Sequence, residues 1–164
     1  MVQNVLIPTD FTIESLNLLK AAATMNGRPK SIILFHAIHL SDSITDLLFF
    51  SKSKFIESIA NEDFLTAVKI VRNRYASIIK SVEMDLFVGR SSRAFENFVA
   101  GNAVDLILIP DAYKFRHASD RSIDPLGYLH RGNKRTRVIS WKQNPDLSAA
   151  DTLSEVFQFD PGLK

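Results

Sequence analysis

The sequence predicts an α/β fold: a doubly wound, five-stranded parallel sheet flanked by helices, with a C-terminal tail extension. Short apolar runs rich in β-branched residues recur along the chain, as expected for strands that helices cover on both faces. Segments with apolar residues at helical spacing separate these runs, and this alternation is typical of a parallel sheet. The 164 residues, 46% of them hydrophobic, suffice for one domain with a substantial core.

The first strand and helix form the clearest unit. Residues 5–7 are a short β-branched run that ends at Pro8, which has no N–H to continue a strand ladder. Apolar residues then recur at helical spacing from 16 to 23, and Gly27 follows where helices commonly end. Because residues 31–37 form a second apolar run, the two strands and the helix between them predict a βαβ crossover.

The remaining elements follow the same alternation. We predict, in order, a long connection with some helix over 40–62, an amphipathic helix over 62–79, a strand over 82–88, a helix capped by Ser91 or Ser92, a strand over 104–109 that ends at Pro110, a short helix near 125–130 and a strand over 137–141. The α/β domain therefore covers residues 1–141. Residues 142–164 are expected to be a linker and a tail helix that covers either the edge of the last strand or a partner subunit.

Composition and motifs argue against several classes of function. The chain has no cysteine, which excludes disulfides, thiolate catalysis and zinc sites built on sulfur. Its 20 basic and 18 acidic residues nearly balance, so nucleic-acid binding is unlikely. No apolar run approaches the roughly 18 residues that cross a bilayer, and the first residues lack a secretory signal. We therefore expect a cytoplasmic protein with no membrane association.

Catalytic and metal-binding motifs are also absent from the sequence. His36 and His39 do not share a strand face, no third metal ligand is evident, and no G-x-S-x-G nucleophile motif occurs. We expect neither an enzyme nor a metal site. We expect Phe49, Phe50 and Phe55 to pack beneath the long connection or at an interface rather than to stack on a base.

Two motifs resemble the universal stress protein family: the opening run VLIPTDFT at residues 5–12, which leads into Ser15, and the fourth strand, DLILI at 105–109. The glycine after the third strand, Gly89, also fits, and the resemblance covers about residues 1–141. It implies a five-stranded parallel sheet and a homodimer, often formed through the last strand. In ATP-binding members an aspartate at the place of Asp10 contacts the nucleotide, and a loop G-x2-G-x9-G-[ST] after strand four receives the phosphates.

The phosphate loop of that family is missing from this chain. Pro110 stands at its first glycine and Tyr113 at its second, whereas Gly127 lies too far along and is followed by Tyr128 instead of a serine or threonine. Phosphate loops need glycines that let the backbone approach and aim N–H groups at the anion, but proline has no N–H and tyrosine adds bulk. We therefore expect no cofactor, and ATP binding of the usual kind is disfavoured.

Ligand binding at the strand ends remains open in the sequence. Asp10 either braces the turn after the first strand or contacts a ligand, and the basic segment 114–122 either grips an anion or keeps a loop soluble. The tentative ligand-binding residues are Pro8, Thr9, Asp10, Arg90, Arg93, Tyr113, Arg116 and Arg121.

The fold pattern, together with Pro110 and Tyr113, favours a non-enzymatic, universal stress protein-like binding or signalling module that is homodimeric and does not bind ATP in the usual way. The alternative is a sensor of an anionic small ligand, or of a nucleotide bound in an altered pose. A phosphoreceiver domain is disfavoured, although Asp10 and Lys142 suit one, because the third strand ends in Val88-Gly89 without an acceptor aspartate.

Overall fold

The predicted five-stranded parallel sheet is present in the computed structural model, which describes residues 1–129 and 135–140. Its strands are β1 Gln3–Pro8, β2 Lys30–Ile38, β3 Ile79–Val88, β4 Leu106–Pro110 and β5 Thr136–Ile139. Neighbouring strands pair in parallel in the order β3-β2-β1-β4-β5, so β1 is central and β3 and β5 are the edges. The fold class read from the sequence is confirmed.

Helices connect the strands. They are α1 Asn17–Thr24, α2 Ile44–Phe49, α3 Lys52–Ile59, α4 Glu62–Arg74, α5 Ser92–Gly101 and α6 Leu126–Leu129, and a 3-10 turn, Glu14–Leu16, precedes α1. Ser91 caps α5 as predicted, because its Oγ accepts a hydrogen bond from the Ala94 N–H at 3.1 Å. Within the described ranges, no helix combines the length and apolar character that a membrane crossing requires.

Two apolar cores lie on opposite faces of the sheet, as the doubly wound arrangement requires. Val5 and Ile7 face the core that α1 and α4 cover, whereas Leu6 faces the core that α5 and α6 cover. Leu108 joins the first core and its neighbours Ile107 and Ile109 the second. Because successive strand residues point to opposite faces, an apolar run without alternation is the expected sequence of a central strand.

The predicted bounds of two helices need correction. The helix expected over 62–79 ends at Arg74, and Ile79 is buried in β3, where it pairs with Lys30 of β2. The apolar spacing continues through this turn, but pairing with β2 determines the structure there. The first helix begins only after the 3-10 turn. The Asp10 carboxylate accepts from the Thr12 N–H, and the Thr12 hydroxyl accepts from the Ser15 N–H, so these N–H groups have local partners other than those of a helix.

The long connection after β2 contains α2 and α3. The rings of Phe50 and Phe55 pack 5.8 Å apart, as expected for side chains beneath this connection. Phe49 does not pack there, since it is 81% exposed, and for this residue that expectation is wrong. Packing of Phe49 at an interface stays a prediction.

The last strand, β5, begins and ends earlier than predicted, over Thr136–Ile139 instead of 137–141. It pairs with β4 from Ile107 to Pro110. Trp141, the boundary at 141 and the tail over 142–164 lie outside the described residues, so the predicted division into a domain and a tail stays a prediction.

Candidate functional site

The candidate site lies at the carboxyl ends of β1 and β4. In an open parallel sheet, ligands bind outside the strand ends at the point where the strand order reverses, and here that point lies between these two neighbouring strands. Asp10 follows β1 by two residues. Residues 111–123, which we call the closing segment, leave β4 at the same edge.

The carboxylate of Asp10 is buried, with 3% of the residue exposed, and the chain itself supplies its hydrogen bonds. Oδ1 accepts from the Thr12 N–H at 3.2 Å and from the Thr12 hydroxyl at 2.6 Å. Oδ2 accepts from the Tyr113 hydroxyl at 2.5 Å and from the Arg116 N–H at 2.9 Å. Four donors therefore satisfy one carboxylate, as a buried charge requires.

Tyr113 fills the crevice beside Asp10. Only 6% of Tyr113 and 7% of Phe115 are exposed, and their rings pack edge-on with centroids 4.9 Å apart. Burial, together with the negative charge of Asp10, raises the pKa of the Tyr113 phenol above its usual value. The phenol therefore stays protonated and donates a hydrogen bond to Asp10. Tyr113 thus covers one oxygen of the Asp10 carboxylate.

The turn between β1 and Asp10 is held by buried polar contacts. The Thr9 N–H continues the sheet by donating to the Phe35 carbonyl at 2.8 Å, and Pro8, which has no N–H, is the buried last residue of β1. The Thr9 hydroxyl accepts from the Phe11 N–H at 3.1 Å and lies 2.8 Å from the Ser15 hydroxyl. Phe11 has a φ of 61°, which is rare for a residue with a large side chain.

His36, on β2, is a site residue whose role the sequence did not reveal. Its Nδ1 lies 2.7 Å from the Thr9 carbonyl, which only accepts, so Nδ1 carries the proton. Nε2 then accepts from the Ser122 hydroxyl at 2.7 Å, and Ser122 Oγ accepts from the Ser119 N–H at 3.0 Å. The only sequence signal is a histidine within an apolar run. His36 therefore links β1 to the closing segment.

The pKa of His36 is lowered below its usual value, chiefly by burial. His117 also lowers it, whereas the hydrogen bond to Thr9 and the charge of Asp10 act in the opposite direction. The neutral ring that this shift favours is the form that accepts from the Ser122 hydroxyl.

The closing segment crosses the end of β1 and pairs with the end of β2. Ile38 and Ser122 form an antiparallel bridge. The His39 N–H donates to the Arg121 carbonyl at 3.0 Å, and the Ile123 N–H donates to the Ala37 carbonyl at 2.9 Å. The segment is thus anchored at β4, at Asp10 and at β2.

The structure brings only some of the candidate residues together. Pro8, Thr9, Asp10 and Tyr113 lie in the closed crevice, together with the backbone of Arg116, whose side chain is exposed.

The other three arginines lie outside this crevice, and two of them have contacts of their own. Arg90 donates to the Leu40 carbonyl at 3.2 Å, and the Arg121 guanidinium lies 3.8 Å from the Asp46 carboxylate. Arg93 is exposed on the first turn of α5. Ligand binding by any of the eight candidates stays a prediction.

Among the described residues, no metal-binding cluster is found, and one groove lies elsewhere on the sheet. Over 1–129 and 135–140, no group of three histidine, aspartate or glutamate side chains converges to hold a metal ion. A groove of about 410 Å³ lies against the edge strand β3, on the other side of β2, and its lining residues are Lys52, Ser53, Ile56, Glu57, Ala60, Leu65, Met84 and Asp85. Lys52 and Asp85 form an ion pair across it, with Nζ and Oδ1 2.9 Å apart.

Comparisons with known proteins find similarity in structure and not in sequence. No protein-family model matches the chain, and no curated protein is similar to it in sequence. The hypothetical protein PH0823 has a similar crystal structure, with 18% identity and a TM-score of 0.51 over 84% of this chain and 95% of that one.

Two further solved structures are universal stress proteins. UspA from Lactobacillus plantarum has 12% identity and a TM-score of 0.46 over 84% of this chain and 96% of that one. A universal stress protein in complex with cAMP has 16% identity and a TM-score of 0.43 over the same shares. Identities this low speak to the fold and not to a ligand. Universal stress proteins are therefore among the solved structures that resemble this chain in fold.

Proposed function

We propose that this chain is a non-enzymatic, universal stress protein-like binding or signalling module whose strand-end crevice is closed by its own chain. The observation that carries the proposal is the engagement of Asp10 by Tyr113, Thr12 and the Arg116 N–H. An aspartate with four intramolecular donors needs no ligand to satisfy it. The module therefore does not bind ATP in the usual way, and we propose that it acts in the cytoplasm.

The backbone after β4 supports this proposal. A phosphate loop presents successive N–H groups to an anion. Here Pro110 has no N–H, the Asp111 N–H donates to the Ile139 carbonyl at 3.0 Å, and the Arg116 N–H donates to Asp10. A nucleotide in the usual pose would have to displace Tyr113 and would find these donors already used.

The absence of catalysis is proposed from the burial of a serine–histidine pair. The 2.7 Å contact between Ser122 Oγ and His36 Nε2 has the spacing of a nucleophile and its base. However, the two residues are 5% and 4% exposed, and His36 Nδ1 faces a backbone carbonyl instead of a carboxylate. A substrate has no approach to this hydroxyl, so we interpret the pair as a structural link.

Equilibrium binding of labelled ATP in the presence of magnesium tests the proposal. The full chain is expected to show no saturable binding up to about 1 mM nucleotide. Micromolar, magnesium-dependent affinity would refute the claim that the crevice is closed to ATP. A Tyr113→Ala variant, checked for folding by circular dichroism, is the informative partner: binding that appears only in this variant would identify the tyrosine ring as the barrier.

The competing function is a sensor of an anionic small ligand or of a nucleotide in an altered pose. It is favoured by the exposed side chains of Arg90, Arg93 and Arg116 at the carboxyl edge. A thermal melting screen over nucleotides, phosphates and other anions separates the two functions. Stabilisation by one anion class that Arg90→Ala abolishes, and that the control Lys54→Ala on α3 retains, would favour the sensor. No shift with any anion would favour the closed module.

We also propose that the module is a homodimer through β5. This strand is an edge of the sheet, and its Val138 is 55% exposed. An edge strand with exposed apolar side chains favours association with another strand. Light scattering should report twice the monomer mass of 18.4 kDa. A monomer at high protein concentration would contradict this part of the proposal.

A further inference from the structure

The short helix α2 exposes an unusual amount of apolar surface. Four of its six residues are large hydrophobics, and they are 74%, 56%, 73% and 81% exposed at Ile44, Leu47, Leu48 and Phe49. These four residues form what we call the α2 surface. They are the majority of the large exposed hydrophobic side chains within the described ranges. Clustered apolar exposure of this kind marks a place where another segment binds.

Basic side chains border the α2 surface. Asp46, on α2 itself, lies 3.8 Å from the Arg121 guanidinium. Arg90 reaches the carbonyl of Leu40, four residues before α2 begins. Lys52, which pairs with Asp85, and Lys54 lie three and five residues after the end of α2 and are exposed. An occupant that is both apolar and acidic would complement this surface.

The C-terminal segment has this composition. Residues 146–160 contain no lysine or arginine and carry four acidic residues, at 146, 151, 155 and 160. Leu153, Val156 and Phe157 recur at the i, i+3, i+4 spacing of one helix face. The segment is therefore an acidic, amphipathic sequence that matches the α2 surface in apolar character and in charge.

The geometry of the sheet allows the segment to reach this surface. β5 ends at Ile139 and β2 ends at Ile38. Because both strands run in the same direction, these two ends lie on the same side of the sheet, where the strands terminate. Three strand spacings, about 14 Å, separate them. Residues 140–145 in extended form span about 20 Å. The chain between β5 and the acidic segment is thus long enough to reach the end of β2, six residues before α2 begins.

We propose that residues 146–160 dock onto the α2 surface of the same chain. Leu153, Val156 and Phe157 cover the apolar side chains of α2, and the acidic residues face its basic border. This inference is independent of the closed crevice, because neither Asp10 nor Tyr113 takes part in it.

Disulfide trapping tests the proposal in the full chain, which has no native cysteine to interfere. A Leu48→Cys/Phe157→Cys variant, oxidised at low micromolar concentration, is expected to form an intramolecular disulfide in most molecules. The matched control pairs Phe157→Cys with Val2→Cys. Val2 is exposed and precedes β1, so it lies at the amino ends of the strands, away from α2. Disulfides that form between molecules, or equally in both variants, would overturn the proposal.

Hydrogen exchange of the α2 amides gives a second readout that needs no cross-link. A Phe157→Asp variant of the full chain should exchange the amides of residues 44–49 on the order of 10-fold faster, because the covering segment is released. Gln158→Asp adds the same charge one position away from the apolar face and should leave the exchange rate unchanged. An unchanged rate in Phe157→Asp, or an equal increase in both variants, would overturn the proposal.

Discussion

The Tyr113 hydroxyl should stabilise the folded chain more than an ordinary tyrosine hydroxyl does, because its acceptor is a buried carboxylate. Tyr113→Phe keeps the ring that packs on Phe115 and removes the 2.5 Å donor to Asp10 Oδ2. That oxygen then retains the Arg116 N–H as its other described donor. Hydrogen bonds to charged groups contribute about 1.5–3 kcal/mol. We expect the free energy of unfolding to fall by about 2 kcal/mol.

Urea denaturation at pH 7 measures this loss. For a small domain with an m-value of about 2 kcal/mol/M, the midpoint should fall by about 1 M with no change in m. A double-mutant cycle with Asp10→Asn isolates the pair. Once the charge is removed, Tyr113→Phe should cost less, with a coupling energy of about 1 kcal/mol.

Tyr128→Phe is the matched control, since it removes the same atom from a partly buried ring that packs edge-on against Phe87. It should change stability by less than about 0.5 kcal/mol. The reasoning is refuted if Tyr113→Phe costs no more than this control, or if the cycle with Asp10→Asn shows no coupling. Either result would mean that ring packing, and not the hydroxyl, holds the crevice closed.

Three further predictions concern other parts of the fold. Burial lowers the pKa of His36, so the unfolded chain binds more protons than the folded chain, and stability should fall as pH drops through about 6.5. His36→Gln should weaken this pH dependence when urea titrations at pH 7 and pH 5 are compared. An unaltered dependence would contradict the assignment of a lowered pKa to His36. A Cβ at Gly89 would lie 2.9 Å from the packed ring of Phe87, so Gly89→Ala should lower the free energy of unfolding by about 1–3 kcal/mol. A Cβ at Gly101 would have nothing within 4 Å, so Gly101→Ala should raise the free energy of unfolding by about 0.5 kcal/mol. Melting-temperature shifts of the same sign in the two variants would refute this contrast. Val138→Lys should halve the mass seen by light scattering if β5 forms the dimer interface, and a dimer that persists would place the interface elsewhere.

The sheet was predictable because its signals are local. Buried strands appear as apolar runs, and the cores confirm this for Val5 to Ile7 and for Ile107 to Ile109. Prediction failed where two local patterns overlap. The apolar spacing of α4 continues past Arg74, so the sequence alone extended the helix, whereas pairing of Ile79 with Lys30 begins β3 there.

The place of Asp10 at the strand ends was predictable, but its contacts were not. The motif around Asp10 indicated the strand-end crevice, and Tyr113 was recognised as too bulky for a phosphate loop. Nothing local indicates that this tyrosine bonds Asp10 across 103 positions, or that His36 meets Ser122 across 86. Such contacts depend on the path of the closing segment over β1, which only the folded chain defines. Sequence reasoning therefore left bracing and ligand contact as alternatives for Asp10, and the geometry favours bracing.

The anchoring of the closing segment at both of its ends has a kinetic consequence. A molecule that binds at Asp10 must wait until the contacts to Tyr113 and to the end of β2 have opened together. Its observed association rate would then level off at the opening rate as its concentration rises, instead of increasing in proportion. Its apparent Kd would exceed the intrinsic one by the inverse of the open fraction, so each kcal/mol of closure weakens binding about fivefold.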